Sequence, residues 1–136
     1  YIKTAINYLE KNKKISWIGS RGKSFSTFIN FHNYNKDISI NQMDLKVFAN
    51  KLIVNNIDFV FSSVIYKKSD LSKLNFEKLL SMYNRHFDYP ILFQLLKKKK
   101  CALINNKMIG YRRHTIQDSK TSFLNEKYLF KILKET

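Results

Sequence analysis

The sequence predicts an α/β domain, and three observations predict it. Segments of helical and strand periodicity alternate along the chain, the order that builds a sheet with helices on its faces. Apolar residues make up 44% of the 136 residues, enough for one core that needs neither disulfide nor metal to hold it. No repeat, low-complexity tract or interdomain linker interrupts the chain, so residues 1–136 read as a single domain.

The elements follow in order. Ile2, Ala5, Ile6 and Leu9 share one face of a helix over 2–10, which the polar run Glu10 to Lys14 ends. Ile15 to Ser20 reads as a short buried strand closed by a Ser20-Arg21-Gly22-Lys23 turn. That turn lacks the spacing of a phosphate loop and the helix that should follow one. Phe25 to Tyr34 is aromatic and extended, with a loop through Asp37 after it. A second helix over 42–54 carries Leu45, Phe48, Ala49, Leu52 and Ile53 on one stripe, and Asn41 with Asp44 offers a cap. Ile57 to Tyr66 is the strongest strand candidate, although Ser62-Ser63 interrupts its apolar run. A helix over about 70–83 places Phe76, Leu79, Leu80 and Tyr83 in phase.

Pro90 is the only proline, and an apolar run follows it directly, which predicts a helix from Pro90 to about Lys98. The lysines at its end complement the negative end of the helix dipole. Two short strands then read as Cys101–Ile104 and Lys107–Arg112, with Asn105-Asn106 turning between them. A polar loop over 115–121 and a closing helix over 122–134 complete the chain.

The charge is +15, which favours anionic partners: nucleic acid, acidic lipid or phosphorylated substrates. Lysine outnumbers arginine and is scattered apart from Lys97 to Lys100, so simple solubility is an alternative account. The lone Cys101 lies in an apolar run and reads as a buried thiol; with no disulfide framework, a cytoplasmic setting is expected. His32 and His86 have no partner pattern and read as structural.

Asp88 is the first candidate for chemistry. A carboxylate at the mouth of a helix is stabilised in its charged form, which a general base requires, although a helix cap needs the same residue there. Tyr111-Arg112-Arg113-His114 ends a strand with two guanidiniums and an imidazole, a set suited to a diphosphate or a divalent metal, or simply to a solvated edge. Ser62 and Ser63 are small enough to let a ligand approach the backbone, or they mark a strand irregularity.

These pieces together resemble a known family. Phe59-Val60-Phe61-Ser62-Ser63-Val64-Ile65-Tyr66-Lys67-Lys68-Ser69, then Phe87-Asp88-Tyr89-Pro90-Ile91-Leu92 at a helix head, then Tyr111-Arg112-Arg113-His114, are similar in order and spacing to family 2 glycosyltransferases. The similarity is good over about residues 57–119 and looser over 1–20. It implies a GT-A-like C-terminal half, a mixed β-sheet with flanking helices that supplies the acceptor side of the enzyme. On that resemblance Asp88 is the catalytic base, Ser62 and Ser63 border the substrate, Arg112, Arg113 and His114 hold the donor diphosphate, and His114 also contacts the metal. A divalent metal, Mg or Mn, a nucleotide-sugar and a glycan acceptor are implied with it, and a nucleic-acid partner is not. A bacterial surface polysaccharide is the implied substrate class; separately, the basic patches, Lys97 to Lys100 among them, are an expected means of holding the protein peripherally against the acidic inner face of the membrane.

Two departures stand out. Phe87 and Pro90 replace acidic residues of the family pattern, and the chain contains no Asp-x-Asp, the family's nucleotide and metal clamp. The chain opens on Tyr1 rather than Met, so the donor-binding half is expected upstream and the 136 residues alone are expected to be inactive. A basic nucleic-acid-binding module or a non-catalytic partner domain is the alternative class.

Overall fold

A computed structural model describes residues 1–25, 37–54, 57, 59–83, 88–112 and 126–135. It is an α/β fold built on a mixed four-stranded open sheet of order β2-β4-β1-β3. The strands are β1 (Ile15–Phe25), β2 (Ile40–Met43), β3 (Ile65–Tyr66) and β4 (Lys100–Arg112). The helices are α1 (Ile2–Lys11), α2 (Leu45–Ile53), α3 (Lys68–Leu71), α4 (Phe76–Tyr83), α5 (Asp88–Leu96) and α6 (Glu126–Glu135). The long central pair β1–β4 is parallel, and the outer strands β2 and β3 run antiparallel to their neighbours.

The alternation of side chains sorts the core into two layers. On one face of the sheet Trp17, Cys101 and Leu103 pack against residues of α2, α4, α5 and α6. On the other, Ile18, Ala102 and Ile104 pack against Ala5 and Leu9 of α1. Ile15 lies with the second group although it is two residues from Trp17. The cause is a register shift between Ile15 and Trp17, an extra residue that sends its two neighbours to opposite faces. Cys101 is buried as expected, and burial pushes its thiol up to about 12.

Three strand expectations are corrected. The Ser20-Arg21-Gly22-Lys23 segment is not a turn but the continuation of β1. Cys101–Ile104 and Lys107–Arg112 are one strand, and Asn105-Asn106 is a bulge within it, since Ser20 pairs with Ile104 and Arg21 with Lys107. The two asparagines keep this irregularity satisfied. The Asn105 N–H donates to the Ser39 carbonyl at 2.9 Å, Asn105 Nδ2 donates to Ser39 Oγ at 2.8 Å, and Asn106 Oδ1 accepts from the Ser39 N–H at 3.1 Å. Among the described residues of Ile57 to Tyr66, only Ile65–Tyr66 joins the sheet, and Phe61–Ser63 is a single 3-10 turn.

The stretch before that turn crosses close over β1 at its two glycines. A Cβ at Gly19 would lie 2.5 Å from Phe59 Cε2, and one at Gly22 would overlap the Val60 side chain. The Phe59 ring is held in turn by Trp17 and Phe48, with centroids 5.7 and 5.8 Å away, so it has little room to retreat. Gly19→Ala is therefore expected to cost about 1–3 kcal/mol of stability, read as a lower urea midpoint at unchanged slope.

The helices follow periodicity better than the strands do. The first two residues expected in the second helix, Gln42 and Met43, instead end β2. Asp44 alone caps α2, its Oδ1 accepting from the Val47 N–H at 2.9 Å, while Asn41 pairs with Leu103 in the sheet. The helix expected over 70–83 is two helices, because Asn75 starts α4 afresh by accepting from the Lys78 N–H at 2.9 Å. Pro90 is the third residue of α5 rather than its first, still inside the first turn, where its missing N–H costs nothing. Residues 122–125 of the expected closing helix, most of 25–34, the 115–121 loop, His32 and His86 lie outside the described residues. Among the described residues, no helix is long and apolar enough to cross a membrane.

Candidate active site

Helix α5 is anchored by its own composition. Pro90, Ile91, Leu92, Phe93, Leu95 and Leu96 are all buried, so the helix is fixed against the sheet and its first residue is held in a defined place. That residue is Asp88, and it is half-buried. The positive dipole end of α5 lies beside this carboxylate, a favourable setting for a negative charge.

Two phenols share the neighbourhood of this carboxylate. Tyr89 packs on Phe61 of the 3-10 turn, ring centroids 6.5 Å apart at 46°, and this joins the head of α5 to the segment that leads into β3. Tyr66, in β3, lies directly opposite Trp17 of β1. Burial first, and the negative charge of Asp88 second, push both phenols above their ordinary range. Both therefore remain protonated donors at neutral pH, beside a group that can accept a proton.

The Tyr66 hydroxyl is buried and has no hydrogen-bond partner among the described residues, and the same holds for Trp17 Nε1. Leaving a buried hydroxyl unpaired carries a penalty that removing it relieves. Tyr66→Phe is thus expected to leave stability unchanged or to raise it by about 1 kcal/mol. A thermal melt that shows a loss of about 2 kcal/mol or more would mean the hydroxyl is paired in the folded protein.

The serine pair divides. Ser62 is exposed on the 3-10 turn. Ser63 is buried, and its hydroxyl latches the turn to the sheet: Oγ accepts from the Ser20 N–H at 2.8 Å and donates to the Val60 carbonyl at 2.6 Å. The Tyr1 hydroxyl donates to the Ser63 carbonyl, tying the start of α1 to the same turn. Ser63 thus has an anchoring role that its sequence position did not announce.

Arg112 is the last residue of β4, paired with Phe25 at the far end of β1, and Arg113 and His114 lie outside the described residues. Tyr66 pairs with Trp17 near the start of β1, so the Arg112 and Tyr66 backbones are separated by roughly 25 Å of strand. In-line transfer keeps the attacking oxygen, the reacting carbon and the leaving oxygen within a few ångströms of one another, so the structure does not bring Arg112 to the level of Asp88 and Tyr66.

Among the described residues no group of three or more His, Cys, Asp or Glu side chains is placed to hold a metal. Asp70, the buried acid of α3, is already engaged by Lys99 Nζ at 2.7 Å from both carboxylate oxygens. The metal expectation therefore remains attached to His114. Tyr66, Tyr89 and Trp17 carried no assigned role in the sequence. The only signal for them was their position inside or beside the segments that resemble the family. No protein family, curated protein or solved structure matches this chain.

Proposed function

We propose that the chain forms the acceptor-side half of an inverting glycosyltransferase with a GT-A-like fold, acting on a nucleotide-sugar donor and a glycan acceptor. The observation that supports this most is the half-buried Asp88 carboxylate at the positive end of a rigidly buried helix, flanked by protonated phenols. In the proposed reaction the acceptor hydroxyl oxygen attacks the anomeric carbon, and Asp88 takes the hydroxyl proton as the bond forms. The bond from that carbon to the diphosphate oxygen breaks with its electron pair, and the configuration inverts. The resemblance gives the charge on the departing nucleoside diphosphate to Arg112, Arg113 and His114, and the roughly 25 Å of strand between Arg112 and Tyr66 counts against Arg112 in that role. A divalent Mg or Mn, when bound, neutralises the same diphosphate.

Tyr89 would donate to an acceptor hydroxyl and orient it toward Asp88, the Tyr66 hydroxyl being buried, and Ser62 is exposed on the 3-10 turn whose Phe61 packs on Tyr89. The test is release of nucleoside diphosphate and formation of glycan by the full-length protein, compared with its Asp88→Asn variant. Equal rates in the two proteins would end the assignment.

A further inference from the structure

The three connections at one end of the sheet are bound to one another. The turn between α1 and β1 meets the turn between α5 and β4 where the Lys100 N–H donates to the Lys14 carbonyl at 2.9 Å. The connection from β3 to α3 joins them: the Lys67 N–H donates to the Ser16 carbonyl at 2.9 Å, and Lys67 Nζ donates to the Asn12 carbonyl at 2.7 Å. Asp70 closes the set through its 2.7 Å contacts with Lys99.

Each of these connections is lysine-rich. Lys11, Lys13 and Lys14 are exposed on the first, Lys68 and Lys73 on the second, and Lys97, Lys98 and Lys100 on the third. The one acid within these connections, Asp70, is buried, engaged by Lys99 at 2.7 Å and by the exposed Lys73 at 3.8 Å, and a single carboxylate leaves most of the rim charge uncompensated. Burial first, and then the charges of Lys99 and Lys13, push the Lys67 ammonium below the ordinary lysine range, with Asp70 opposing. The fold thus brings together charges from three separate stretches of sequence that repel one another.

We propose that this lysine rim is a docking surface for an anionic lipid bilayer. The inference goes beyond the transferase assignment and does not rest on it. The rim segments 11–14, 67–73 and 97–100 contain no arginine and no aromatic residue. They lack the planar forks that grip phosphates in pairs and the rings that stack on bases, which sequence-tolerant nucleic-acid binders use. Compact, flexible ammonium groups suit instead the diffuse potential of an acidic membrane, where each is worth about a fivefold change in partitioning. Asp88 stands at the opposite end of α5 from Lys97, about 12 Å of helix from the rim.

The test is sedimentation of the full-length protein with phosphatidylcholine vesicles containing about one third phosphatidylserine, and with pure phosphatidylcholine vesicles. Binding is expected only to the acidic vesicles, at about 0.1 M salt, and is lost near 1 M as screening shortens to about 3 Å. Changing Lys13, Lys68, Lys97 and Lys98 together to glutamine is expected to weaken binding several-hundredfold, roughly fivefold per lysine. The same change at Lys3, Lys46, Lys78 and Lys131, exposed elsewhere, is expected to leave it within a few-fold. Should the fourfold rim variant fold poorly by circular dichroism, Lys97→Gln with Lys98→Gln alone is expected to give about a 25-fold loss. Equal losses for rim and control variants would overturn the proposal, because net charge alone would then account for binding. It would be overturned equally if a single-stranded oligonucleotide displaced the protein from the vesicles and its own binding depended on the rim lysines.

Discussion

Asp88→Asn is expected to lower sugar transfer by the full-length protein about two to four orders of magnitude, the span a positioned general base supplies. The variant is nearly isosteric and cannot accept the proton. The neighbouring phenols do not replace it, because burial, the larger cause of their raised range, still holds them protonated once the Asp88 charge is gone. Little else should change. Asparagine is a good residue for a helix mouth, and losing one charge at the positive end of the dipole costs about 0.3–1 kcal/mol. Circular dichroism and the melting midpoint should therefore stay close to those of the parent protein. Donor binding should also survive, since in the proposed reaction Asp88 acts on the acceptor. A variant that transfers sugar at the parent rate would show that this carboxylate only caps α5.

The largest effect on stability is expected at Trp17. Its side chain is fully buried on the helix-facing side of β1, edge-on to Phe48 at 5.1 Å and tilted against Phe59 at 5.7 Å. Trp17→Ala removes the group that β1, α2 and the segment before β3 all pack against. It should cost about 3–5 kcal/mol, a large part of the 5–15 kcal/mol typical of a domain. Denaturant unfolding followed by circular dichroism measures this. Trp17→Phe should cost much less, because it keeps a ring and deletes an N–H that has no partner among the described residues. If the alanine variant proved as stable as the parent, the packing of the helix-facing layer would have to be redrawn.

What could be read in the sequence, and what could not, has a common cause. Helices α1, α2, α4 and α5 follow spacings set within a few residues, and periodicity reports such spacings directly. The full length of β4 was hidden because Asn105-Asn106 has the composition of a turn. Its role as a bulge depends on Ser39, far away in sequence. The strand signal over Ile57 to Tyr66 was too strong for a similar reason: Phe59 is spent on packing against Trp17 and Phe48, and Phe61 against Tyr89, rather than on a ladder. At the site, the helix head and its carboxylate were legible from Asp88-Tyr89-Pro90. The buried Tyr66 hydroxyl, the anchoring of Ser63 to Ser20 and the meeting of three lysine-rich connections all depend on tertiary pairing, which no local spacing encodes.

The parallel pairing of β1 with β4 also bears on how the protein reaches its fold. Ile15 finds its partner at Lys100, a separation of 85 residues, so the centre of the sheet cannot close until most of the chain exists. A nascent polypeptide halted before residue 100 would carry β1 with that edge unpaired, even with α1, β3 and the helices up to α5 already made. Such an edge invites association with other strands until β4 is synthesised, which makes co-translational chaperone cover most valuable in that interval.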